Sequence, residues 1–207
     1  MTIFFIIVLL FAVVIHEVSH GAVANALGDP TAKYAGRLTL NPLKHLDTWG
    51  SFLVPLMLLV FSGGRFVFGW AKPVPYNPYN LKYQRWGPAL VGFAGPAANF
   101  SLAAFFAILI RLADYYDFGP ATLFLFFHII VWINLVLGIF NLMPIPPLDG
   151  SKVLFSALPY SWEPVKVFLE RYGFMILLLF LFFGFRSLIP LVLSIYGLLV
   201  GPSPLLI

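Results

Sequence analysis

Apolar side chains fall into long blocks along the chain, separated by short polar stretches. The first block, Thr2 to about Leu27, is long enough to cross a bilayer, yet its C-terminal half contains His16, Glu17 and His20. It lacks a basic leading region and a small-residue cleavage site, so it reads as a retained helix rather than a signal peptide. Gly28-Asp29-Pro30 stops it. From Lys33 to Asp47 the chain is polar and mixed, with Tyr34, Leu38 and Leu40 alternating against Lys33, Arg37 and Thr39, which predicts a short strand ending at Asn41-Pro42. Gly50 to Phe61 is apolar but carries Pro55 and falls short of the roughly 20 residues of a spanning helix, so it is expected to be re-entrant. Arg65 to Arg85 interleaves aromatics with Pro73, Pro75 and Pro78 and reads as a hairpin and loop.

Two further blocks, Trp86 to Ala113 and Phe118 to Leu142, predict spanning helices. The first contains Gly92, Gly95, Ala97 and Ala98, small residues that admit a neighbouring helix. The second runs into the helix-breaking stretch Met143-Pro144-Ile145-Pro146-Pro147-Leu148-Asp149-Gly150. Lys152 to Arg171 is more polar and expected at the interface, and Tyr172 to Val200, interrupted by Gly184, Arg186 and Pro190, reads as one broken span or a tight helical hairpin, of which the hairpin is preferred. The expected fold is therefore an all-α polytopic membrane protein with a small membrane-associated β-strand or hairpin and five to six transmembrane or re-entrant segments. A single domain over 1–207 is expected, its catalytic core about 1–158 and its C-terminal helices about 163–201.

Composition sharpens this picture. Of 207 residues, 61% are hydrophobic and 10% charged, where a soluble domain has roughly a quarter charged. With a mean hydropathy of +0.95 the chain belongs in lipid. Its net charge of +4 then reports cytoplasmic loops rather than nucleic acid. With no cysteine, disulfides, thiolate metal sites and a cysteine nucleophile are excluded.

His16-Glu17-Val18-Ser19-His20 sets two imidazoles at i and i+4 on one helical face, the spacing that holds a zinc ion, with Glu17 beside them as a base. Ionisable groups in an apolar run cost roughly 2.5 kcal/mol or more each, which argues for a task. A catalytic zinc takes three protein ligands and keeps one position open. The candidates for the third are Asp29, Asp47, Asp114, Asp117 and Asp149, of which Asp149 is best placed, on irregular backbone at membrane depth. His45 is expected on a loop surface and His128 at a hydrogen-bonded helix contact.

In these motifs the chain resembles the site-2 proteases, intramembrane zinc metalloproteases. His16 to His20 is similar to the family's HExxH, Gly95-Pro96-Ala97-Ala98-Asn99 to its central glycine and asparagine motif, and Asn141 to Gly150 to its NxxPxxPLDG motif, in the same order. The resemblance covers roughly Ile15 to Gly150, and Gly69 to Pro75 is similar to the compact subgroup without appended domains. It implies one Zn2+ per chain held by His16, His20 and Asp149, with Glu17 catalytic and Asn141 near the substrate carbonyl.

For the HEVSH helix and the helix ending at Asn141 to meet on one side of the membrane, Gly50 to Phe61 must not cross. That arrangement sets Lys33, Arg37, Lys44, Arg65, Lys72, Lys82 and Arg85 opposite Asp114 and Asp117, and makes the first side cytoplasmic. The expected activity is zinc-dependent hydrolysis of peptide bonds in or near transmembrane segments, in the plasma membrane of a prokaryote. Its partners are a transmembrane protein or peptide and the lipid bilayer, not nucleic acid. Asn141 is expected to donate to the oxyanion, and Asn99 to pack or touch substrate. The strand at Gly36, Leu38 and Leu40 is expected to receive an unwound substrate by strand addition. A silent scaffold for transmembrane partners and a zinc transporter are the alternatives.

Overall fold

Long apolar blocks become the long helices of the computed structural model, which describes residues 1–64, 69–117 and 119–201. Helix α1 is Thr2–Ala26, α4 is Gly87–Tyr115 and α5 is Ala121–Asn141. Between α1 and α4 lie the short α2 (Thr31–Tyr34) and α3 (Val54–Phe61); after α5 come α6 (Asp149–Ala157), α7 (Glu163–Leu179) and α8 (Leu188–Val200). Four helical runs are long and apolar enough to cross a membrane: α1, α4, α5 and the continuous run Tyr160–Val200. At 1.5 Å per residue α1 is about 37 Å long, enough for a hydrocarbon core of about 30 Å.

Side-chain contacts fix the directions. The Asn99 amide reaches the Ala12 carbonyl while the His20 ring reaches the Val91 carbonyl, so α4 retreats as α1 advances and the two are antiparallel. The end of α1 and the start of α4 therefore share a side, and the Lys82 amide bonds to the Leu27 carbonyl there. The intervening apolar helix, Thr48–Phe61, is too short to be a span. Among the described residues, nothing from 62 to 86 is a helix long enough to bring the chain back across. The segment thus lies between two helix ends that share one side of the bundle.

Helix α5 returns antiparallel to α4, with Asn134 against Asn99 and Phe127 against Phe106. Small residues allow the approach: Ala103 and Ala107 of α4 are buried in the main core with Val131, Leu135 and Ile139 of α5, and an added Cβ at Gly138 would sit 3.1 Å from the Phe100 ring. In lipid this close packing, rather than exclusion of water, holds helices together. Val192, Tyr196 and Val200 of α8 complete the cluster, and His128 forms the expected helix contact by hydrogen bonding to the Tyr196 hydroxyl.

Three expectations are corrected. No strand forms among the described residues. At Gly36 the backbone turns with φ +64°, and Leu38 packs inward against Gly21, so the alternation from Lys33 to Asp47 meets no partner strand. The expected hairpin beginning at Arg65 falls partly outside the described residues, and from 69 to 86 the chain is extended or turning, with one 3-10 turn at Pro78–Asn80. The five to six segments reduce to four candidate spans. Tyr172 to Val200 does not fold back: Phe185 lies against Phe140, Tyr196 bonds to His128 further up α5, and the Leu198 and Leu199 carbonyls accept from Arg111 at the far end of α4. A π-helical turn at Phe180–Gly184 and a 3-10 turn at Phe185–Ser187 bend this run without reversing it. Pro190 sits in the first turn of α8, where its missing N–H is tolerated.

Candidate metal centre

The i, i+4 spacing on α1 puts His16 and His20 on one face, with ring centroids 4.7 Å apart and edge-on. That face meets α4 at Gly95, where an added Cβ would lie 2.5 Å from His16 Nε2 and 2.6 Å from His20 Nε2. Only glycine leaves this space open.

The protonation of both rings is set by their outer nitrogens. His20 Nδ1 lies 2.6 Å from the Val91 carbonyl, which can only accept, so Nδ1 carries the hydrogen. For His16 the logic runs through two amides. Asn134 Nδ2 donates to the Ile130 carbonyl, which turns Asn134 Oδ1 toward Asn99 Nδ2 at 2.8 Å. Asn99 Oδ1 then faces His16 Nδ1 at 2.6 Å and accepts from it. A backbone carbonyl thereby fixes the tautomer of His16. Rings so tied at Nδ1 present both Nε2 atoms inward.

Opposite them stands Asp149, 6% exposed at the first position of α6, where the helix N-terminus favours a carboxylate. Its Oδ2 lies 2.9 Å from His16 Nε2 and 3.1 Å from His20 Nε2. Tight closure of the preceding loop brings it there, since a Cβ at Gly150 would lie 2.1 Å from the Leu142 carbonyl oxygen. The other oxygen, Oδ1, accepts from Lys152 Nζ at 2.8 Å. Burial works against the charge on Lys152, but the adjacent Asp149 carboxylate more than offsets it and raises the pKa of the ammonium.

Both imidazole Nε2 atoms lie within 3.1 Å of one carboxylate oxygen. A proton on one Nε2 or a metal cation among the three atoms relieves the repulsion of such a set. Two nitrogens and one oxygen, buried and free of other partners, fit a divalent zinc-type ion with one position left open.

Glu17 is adjacent: His16, Glu17 and His20 offer ligand atoms within 4.8 Å of one another. Its Oε2 accepts from the Val74 amide at 2.8 Å. Val74 lies in the extended stretch Lys72-Pro73-Val74-Pro75, whose Lys72 and Pro73 carbonyls accept from Arg37.

The remaining sequence candidates lie elsewhere. Asn99 is fully buried, its amide oxygen against His16 Nδ1. The Asn141 amide donates to the Leu137 carbonyl one turn back, with no hydrogen bond to the two histidines or Asp149 among the described residues. Leu38 lies near Val74 under Gly21, whereas Gly36 and Leu40 are exposed. Asp29 bonds to Thr31, Asn77 and Asn80, Asp47 caps the turn at Gly50, and Asp114 and Asp117 lie at the far end of α4. His45, expected on the surface, is 1% exposed and donates from Nε2 to the Thr39 carbonyl. Sequence reasoning missed Lys152, Asn134, the Val91 carbonyl and Val74. Lys152 alone left a signal, a cation one helical turn after Asp149.

A family model described as "Peptidase family M50" matches residues 4–118 and 116–184. "Putative zinc metalloprotease YwhC" of Bacillus subtilis is 38% identical over 180 residues, 84% of this chain and 78% of that protein. "Putative zinc metalloprotease Rip2" of Mycolicibacterium smegmatis is 28% identical over 83% of this chain and 64% of its own length. "Putative zinc metalloprotease MJ0611" of Methanocaldococcus jannaschii is 38% identical over 44% of each chain. No solved structure matches.

Proposed function

Because the chain belongs to peptidase family M50, we propose that it is a zinc-dependent intramembrane endopeptidase. Its substrates are membrane proteins, cut in or near their transmembrane segments. His16, His20 and Asp149 hold the ion, and Glu17 is the general base. The observation that carries this reading is the convergence of His16 Nε2, His20 Nε2 and Asp149 Oδ2 with both outer ring nitrogens already engaged.

Zinc held there would polarise a peptide carbonyl and lower the pKa of a water toward 7. The chain's own contribution is to place the acid and base groups around that point. Glu17 accepts the proton of the attacking water and returns it to the leaving amine. The Val74 amide fixes Glu17 Oε2 and leaves Oε1 for the proton. Gly95 lets α4 close on both rings with no side chain pressed against their Nε2 atoms. Asn141 serves the oxyanion only by releasing its bond to Leu137.

The placement of charge supports a site facing the cytoplasm. Among the described residues Arg111 is the one cation at the far end of α4, where it caps α8, while Lys33, Arg37, Lys44, Lys72, Lys82 and Arg85 lie between the end of α1 and the start of α4. The plasma membrane of a prokaryote is the setting proposed. A transporter has no use for Glu17 anchored beside the ligands, and a silent scaffold none for three converging donors.

The test is zinc per chain in detergent-purified wild type and in Asp149→Ala. About one zinc in the wild type and a clear loss in the variant are expected. Undiminished zinc in Asp149→Ala would move the third ligand elsewhere, and a well-folded wild type without zinc would favour the scaffold.

A further inference from the structure

The two oxygens of Asp149 stand in different surroundings. Oδ2 faces both imidazoles. Oδ1 is taken by Lys152 Nζ at 2.8 Å. The lysine is not a chance surface partner. Its stem lies in the notch of α4 made by Gly92, where an added Cβ would be 3.0 Å from Lys152 Cβ and 3.1 Å from Cδ. Its ammonium also stands 5.6 Å over the Tyr76 ring. Three elements therefore hold the charge in place: α6 by its one-turn spacing, α4 by a missing side chain, and the loop before α4 by an aromatic face.

From this geometry we infer that Lys152 is a positioning residue that restricts Asp149 to a single metal-ligating oxygen. This rests on the metal site proposed above. A carboxylate with both oxygens free can take a divalent ion through one or through both, and taking both raises the coordination number and fills the position that water and substrate need. With Oδ1 bonded to an ammonium, the two-oxygen mode requires breaking a charge-assisted hydrogen bond in a partly buried site. Lys152 thus selects four-coordinate geometry and keeps the site open. It also brings a positive charge to a cluster that holds the carboxyl groups of Glu17 and Asp149. The role demands a cation at this point, so arginine should substitute and an apolar side chain should not.

Cobalt(II) reports on this directly, since four-coordinate cobalt absorbs visible light far more strongly than five- or six-coordinate cobalt. The full chain in detergent is stripped with a chelator and reloaded with cobalt, for wild type, Lys152→Met and Lys152→Arg. Uptake is measured by chelator competition, and folding by a single symmetric size-exclusion peak. The wild type should take about one cobalt with an intense band. Lys152→Met should bind about 10- to 100-fold more weakly with a weakened band, as Oδ1 joins the ion, and Lys152→Arg should restore both. If Lys152→Met does not fold, Lys152→Gln, which loses the charge but keeps most of the stem, should show the same weakened band. A Lys152→Met or Lys152→Gln spectrum and affinity equal to wild type would overturn this inference alone. A folded wild type that takes no cobalt would overturn the metal site itself, and the role of Lys152 with it.

Discussion

Asn99 Oδ1 lies 2.6 Å from His16 Nδ1, joining residues 83 positions apart. The bond ends a relay that begins at the Ile130 carbonyl and passes through Asn134. Asn99 thereby decides which nitrogen of His16 faces the site. Asn99→Ala should weaken zinc binding about 10- to 100-fold, the usual effect of losing an outer partner of a ligating histidine. It should also destabilise the helix pair by about 1–3 kcal/mol through the orphaned Asn134 amide oxygen and His16 Nδ1. Chelator competition reads the first and thermal unfolding in detergent the second. Unchanged zinc affinity would show that His16 keeps its tautomer without the relay.

Glu17→Gln separates binding from chemistry. The replacement amide keeps an oxygen for the Val74 N–H, so the local fold and the zinc content should stay at wild-type levels. Peptide cleavage should fall below detection, because a primary amide cannot accept the proton of water. Residual cleavage by a zinc-loaded Gln variant would remove Glu17 from the role of base.

Gly95→Ala gives a prediction of unusual sign. In a helix interior this change ordinarily stabilises by about 1 kcal/mol. Here the new methyl would stand 2.5 Å from His16 Nε2 and 2.6 Å from His20 Nε2. The variant should express as a folded helical protein, yet lose most of its zinc by elemental analysis. Full zinc occupancy would mean that α1 and α4 can separate at no loss to the site.

Asp29 governs the acid response of the polar region between α1 and α4. Burial disfavours its charge, but bonds from Thr31, Asn80 and the Asn77 amide outweigh this and lower its pKa. The sign follows: folding is favoured by the ionised form, so the contribution is complete above the unfolded value near about pH 4 and lost as pH falls through the depressed folded value. Protease cutting between residues 69 and 86 should therefore increase on acidification below about pH 4. Asp29→Asn should cut faster already at neutral pH and respond less to acid. A variant as resistant as wild type at pH 7 would show that Asp29 does not anchor this region.

How far these features could be read from the sequence depends on the distance over which each is determined. His16, Glu17 and His20 are legible because helical periodicity alone unites them. Asp149 is legible from its proline-broken surroundings and from the order of motifs, but its arrival at the two histidines depends on the closed turn from Leu142 to Gly150. The Asn99 and Asn134 relay and the Lys152 notch follow from the register in which α4 packs on α1, α5 and α6. That register depends on Gly92, Gly95 and Gly138 and leaves no periodic trace. The expected strand fails for the converse reason: alternation over a few residues is a local pattern, and the turn at Gly36 and the packing of half-buried Leu38 against Gly21 overrule it. His45 looked like a surface residue because its neighbours are polar, yet those neighbours fold over it. The C-terminal hairpin was read from Gly184 and Pro190, which bend a helix as readily as they end one.

The stretch Lys72-Pro73-Val74-Pro75 has a consequence for how a substrate can be held. Its Lys72 and Pro73 carbonyls accept from Arg37, the Val74 amide donates to Glu17, and the prolines have no amide hydrogen to offer. The Lys72 amide is likewise spent on the His45 carbonyl. An unwound polypeptide laid alongside therefore finds no free amide hydrogen along this stretch, and any main-chain bond there has to be donated by the polypeptide itself.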